Sequence, residues 1–169
     1  MKIHLWPLCL VRWVPGEYLN FTVDTDFGRV WFTRGQVRFM GLPVVSIAQA
    51  YSADQGLLAH ELEHVGQFWR AWWYGMLVLL ISTTVALMAG LPDWRVLSPV
   101  LPVTLHPMLY TFSRWYRLRC EAKAYRVQMN YPDRRGDYLS LDAATARLFS
   151  PSYDLRLTLA AAVAAMGRA

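Results

Sequence analysis

Cysteine is scarce in this sequence. Only Cys9 and Cys120 occur among 169 residues, and neither belongs to a CxxC pair. That excludes a disulfide framework and a cysteine zinc cage, and leaves two buried or idle thiols. Lysine is nearly missing too: fifteen of the seventeen basic residues are arginine, within a net charge of +5. Such a balance suits an anionic lipid surface or nucleic acid. There is no recognition helix, finger or aromatic–basic ribbon, however, so nucleic acid is not expected as a partner. An export signal is also lacking. Lys2 precedes a short apolar stretch, but Pro7 and Arg12 interrupt it and no small-residue cleavage site follows. Finally, charge is absent from two long runs, Ala71 to Pro92 (22 residues) and Val96 to Ser113 (18 residues).

The length suits one domain, 1–169. Its residues are 55% hydrophobic with a mean hydropathy of +0.20, high for a soluble domain. The first charge-free run, as a helix, is long enough to cross about 30 Å of hydrocarbon. The second carries Pro99, Pro102 and Pro107, so it is expected to kink or tilt. Together, residues 71–112 read as an inserted apolar helical hairpin with Arg95 at its tip. The other sixteen Lys and Arg residues flank it. In a bilayer, the positive-inside rule then places both flanks on the cytoplasmic side.

Residues 1–50 read as short strands and turns. Arg29 to Phe32 and Gln36 to Met40 are strand-like around Thr33-Arg34-Gly35, which suggests a hairpin. Turns are marked by Pro15-Gly16 and Gly41-Leu42-Pro43. Trp6, Trp13 and Trp31 read as core or interface anchors. A helix is expected to start near Ser52 or Asp54, either of which can cap it. Leu57, Leu58, Leu62, Val65 and Phe68 then share one face. Further helices are expected over Arg114 to Gln128, Leu141 to Phe149 and Leu155 to Met166, the last two split by Ser150-Pro151-Ser152.

The first of these helices carries His60-Glu61-Leu62-Glu63-His64. Side chains at i and i+4 stack on one helical face, so the two imidazoles can bind one Zn²⁺. Glu61 is placed to take a proton from water activated by the metal. Glu63 points some 200° away on the wheel and reads as structural. A catalytic zinc needs a third protein ligand, and none follows closely, because His64 is followed by Val-Gly-Gln-Phe-Trp-Arg. Glu121, in Glu121-Ala122-Lys123-Ala124-Tyr125, is the best candidate. Tyr125, one turn on, can support a ligand histidine. His106 is either a buried core histidine or an oxyanion stabiliser. Tyr125, Tyr131 and Arg126 are alternative stabilisers.

HELEH followed by EAKAY resembles the gluzincin arrangement, in which HExxH lies on one helix and a glutamate ligand on a later one. LLAHELEHVGQ resembles small gluzincins of phage and bacterial genomes, the minigluzincin type. The apolar hairpin between the motifs resembles the HtpX and CAAX-prenyl-protease families of membrane metallopeptidases. The likeness covers roughly residues 52 to 130. It departs from the HtpX type at Tyr125, where an Asp is usual, and in length.

The expectation is therefore an α+β zinc metallopeptidase. A small N-terminal sheet should lie over the HExxH helix, beside a Glu121 helix. Its substrate is expected to be protein or peptide, and the hairpin is expected to contact membrane lipid. The alternatives are a particle-associated gluzincin whose hairpin docks into a larger assembly such as a virion, and a structural zinc protein without catalysis. Peptide recognition is expected to run through the backbone of an edge strand near Arg29–Phe32.

Overall fold

A computed structural model describes residues 2–22, 30–90, 100–149, 155 and 157–167. Among them the architecture is α+β. A four-stranded sheet runs in the order β1 (Lys2–Leu5), β2 (Leu8–Val14), β6 (Leu42–Ala48), β5 (Gly35–Met40). β3 (Leu19–Thr22) and β4 (Val30–Thr33) pair separately. β2 and β6 are parallel, and the other pairs are antiparallel. The expected hairpin around Arg34 does not form, because its two strands belong to different sheets. The Arg34 carbonyl accepts from Ala48 N at 2.9 Å, so it serves the β6 side instead of closing a turn. The hairpin that does form joins β5 to β6 at Gly41, whose φ of +87° suits glycine.

Asp54 caps α1 (Gln55–Met88), its carboxylate accepting from Leu57 N at 2.7 Å. Val65 is buried with Cys9, Val11, Val45 and Ile47, and Leu57, Leu58, Leu62 and Trp69 pack against them. This apolar face seats α1 on the sheet. Trp13 packs on the same core, whereas Trp6 is exposed. The side chain of Trp31 lies outside the described residues.

α1 does not stop at the motif. It continues unbroken into the charge-free run, for 34 residues and about 51 Å. It is the one helix among the described residues long and apolar enough to cross a membrane, and only 11% of its apolar window is buried. α2 (Val100–Phe112) has 13 residues. The expected tip at Arg95, with Pro92 and Pro99, lies outside the described residues.

α3 spans Arg114–Gln128, the limits the sequence suggested. Ser113 caps it, accepting from Tyr116 N. α4 (Leu141–Leu148) and α5 (Leu159–Gly167) cover α3 through a second core of Ala122, Tyr125, Ala144, Leu148, Ala162 and Met166. The Ser150-Pro151-Ser152 break lies outside the described residues. α3 runs antiparallel to α1, as successive contacts show: Gly56 against Gln128, His60 against Tyr125, His64 against Glu121 and Gln67 against Cys120. α2 is antiparallel to α1 on another side. His64 meets Tyr110, Phe68 meets His106 and Gly75 meets Pro102. A Cβ on Gly75 would lie 2.8 Å from Pro102 Cα, so only glycine allows that approach.

Candidate metal centre

Three ligand-type side chains meet where α1 is flanked by α2 and α3. His60 Nε2 and His64 Nε2 lie 3.2 Å apart. Glu121 Oε1 is 3.4 Å from His64 Nε2, and Glu121 Oε2 is 3.6 Å from His60 Nε2. All three residues are buried. Metal–ligand bonds of 2.0–2.1 Å in a tetrahedron imply ligand–ligand edges of about 3.3 Å. One ligand atom from each residue can be chosen so that all three lie within 4.8 Å of one another. Glu121 Oε2 has no hydrogen-bond partner, an arrangement that is costly in a buried carboxylate without a cation. The group can hold a metal ion.

The surroundings fix the donor atoms. His64 Nδ1 donates to Gln67 Oε1 at 3.0 Å, while Gln67 Nε2 donates to the Cys120 carbonyl at 2.9 Å. With its amide held at both ends, Gln67 sets the His64 tautomer that turns a lone pair of Nε2 toward the cluster. Tyr110 donates its phenol to Glu121 Oε1. Burial pushes the Glu121 carboxyl up, but the charge of His64 and the His60 and Tyr110 contacts outweigh it and hold it at about 2. Glu121 is thus an ionised, oriented carboxylate.

Glu61 behaves oppositely. Burial raises its carboxyl to about 7, an effect opposed by His64 and reinforced by Glu121. Gly35, at the start of β5, lies directly against it: a Cβ there would be 2.6 Å from Glu61 Oε1. β5 is the edge of its sheet, so the strand beside Glu61 is β5 and not the Arg29–Phe32 segment. Glu63 sits apart, paired with Arg70 at 2.5 Å and Lys123 at 3.2 Å, a structural role.

Tyr125 contacts His60 ring to ring, with centroids 4.7 Å apart. His60 Nδ1 is buried with no hydrogen-bond partner. His106 is buried among Phe39, Phe68 and Tyr110, and its Nδ1 lies 2.8 Å from Tyr116 Oη. Of its two readings, the structure shows the packing of a core histidine. Tyr131 adjoins Gly56 at the far end of α1, and Arg126 donates to Ala122 O. Gln67 and Tyr110 were not singled out from sequence. Gln67 sits at i+3 from His64 on the ligand face, a signal that was available, whereas Tyr110 depends on how α2 folds back.

No protein-family model, no curated protein and no solved structure matches the chain.

Proposed function

We propose that this protein is a zinc-dependent endopeptidase of the gluzincin type. The carrying observation is the buried triangle of His60, His64 and Glu121, with Glu61 between the two histidines in sequence and beneath Gly35 of the edge strand. His60, His64 and Glu121 would hold the zinc. Zinc bound there supplies Lewis-acid activation of water and of a peptide carbonyl. Glu61 takes the proton of the attacking water and returns it to the departing amine. The free edge of β5 accepts an extended peptide as an added strand, through main-chain hydrogen bonds.

The exposed apolar length of α1 supports a membrane anchor; a cytoplasmic metal site is the reading that the basic residues flanking the apolar run suggest. α1 then leads straight from the metal ligands into the bilayer, which favours substrates at or near the membrane surface.

The test is zinc content and peptidase activity of the purified protein in detergent. Glu61→Ala is expected to abolish turnover and keep zinc. His60→Ala and His64→Ala are expected to lose both. Near-native turnover in the Glu61 variant would rule out its role as general base.

A further inference from the structure

We propose that the turn of the β1–β2 hairpin, Leu5 to Leu8, is a second membrane contact that enters an anionic bilayer surface beside α1. The inference rests on the reading of α1 as membrane-embedded and adds a surface remote from the apolar helices in sequence.

The turn presents a concentration of large apolar side chains to solvent. Leu5 is 81% exposed, Trp6 79%, Ile3 68% and Leu8 41%. Side chains of this size side by side at a strand tip form a patch that a soluble surface rarely carries. Its position is fixed by a hydrogen bond: Trp69 Nε1 donates to the Leu8 carbonyl at 2.8 Å. Trp69 stands two residues before the charge-free run begins at Ala71. The turn is therefore tied to α1 at the level where the helix changes from polar to apolar.

That level has the composition of a membrane interface. Trp69, Trp72 and Trp73 follow one another in edge contacts of 5.7 and 4.9 Å. Trp73 and Tyr74 point outward. Tryptophan and tyrosine collect at headgroup depth because one end of each ring is apolar and the other polar. Trp6, Pro7, Trp69 and Trp73 line a single groove of about 590 Å³.

Charge selects the occupant. Arg70 lines the same groove, where it shares the Glu63 carboxylate with Lys123, two cations to one anion. The first turns of α3 add Arg114, Arg117 and Arg119, and Cys120 of that helix meets Gln67 of α1. Basic residues at the foot of an apolar helix match anionic headgroups.

The experiment uses the full chain in vesicles of phosphatidylcholine and phosphatidylglycerol. One cysteine is introduced at Trp6, Ile81 or Tyr138 and labelled with an environment-sensitive fluorophore, the native Cys9 and Cys120 being buried. Lipid-borne and water-soluble nitroxides then report where each label sits. The expected result is strong quenching by lipid nitroxide at 6 and 81, none at 138, and weaker quenching at 6 when phosphatidylglycerol is omitted. Quenching at 81 with position 6 open to the aqueous nitroxide overturns the proposal and leaves α1 in the membrane. Aqueous exposure at both positions overturns the membrane reading as well.

Discussion

Gln67 offers the sharpest test of how the ligands are held. Replacing it with alanine removes two buried hydrogen bonds, one from His64 Nδ1 and one to the Cys120 carbonyl. Without the amide oxygen, the His64 tautomer and ring angle are no longer set. Losing a supporting bond of this kind typically lowers metal affinity about 10–100-fold, or about 1.4–2.7 kcal/mol. The stranded His64 N–H costs about 1–3 kcal/mol of stability, while the Cys120 carbonyl, inside α3, keeps its place in the helical ladder. Gln67→Glu separates the two effects. It keeps an acceptor for His64, so zinc affinity is expected to recover. It loses the donor to Cys120, so the α1–α3 link remains weakened. Competition against a chromophoric chelator measures the affinity, and melting in detergent measures the link. An alanine variant that binds zinc as tightly as wild type, or a glutamate variant weaker than the alanine one, refutes the reasoning.

Gly35→Ala forces a Cβ to within 2.6 Å of Glu61 Oε1. Turnover is expected to fall at least tenfold while zinc content stays at the wild-type level, read by peptidase assay and metal analysis. Tyr110→Phe removes the phenol that donates to Glu121. A bond to a charged acceptor is worth about 1.5–3 kcal/mol, so the metal-free variant is expected to melt lower, with its helical circular dichroism unchanged. The pH response of the metal-free protein follows from Glu61. The folded state keeps that proton up to about pH 7, while an unfolded carboxyl releases it near 4.5. Between those values the folded state binds more protons, so stability falls as pH rises, by about 3 kcal/mol in all. Glu61→Gln is expected to flatten that slope in chelator-treated melts. Glu121, held at about 2, acts with the opposite sign and below that window.

Much of the centre was legible because it rests on local periodicity. The spacing of His60 and His64, the Asp54 cap and the limits of α3 all follow from single-helix rules. Glu121 could be proposed because a third ligand was required and few carboxylates follow the motif. What sequence did not reveal depends on distant partners. β4 and β5 read as one hairpin because strand pattern carries no pairing information. That the Tyr110 end of α2 packs against the ligand cluster was not legible either. That packing comes from the Gly75–Pro102 approach, which no periodicity announces.

The unbroken run of α1 has a mechanical consequence. No joint separates His64 from the tryptophans that begin the apolar segment, so a stiff rod connects them. Trp72 follows His64 by eight positions, a rise of about 12 Å. An extended peptide covers that distance in about four residues. With α1 anchored in a bilayer, the proposed peptidase would act as a ruler: it would cut a membrane-borne chain at a set reach from the lipid, the scissile bond being chosen by counting from the surface as much as by side chain.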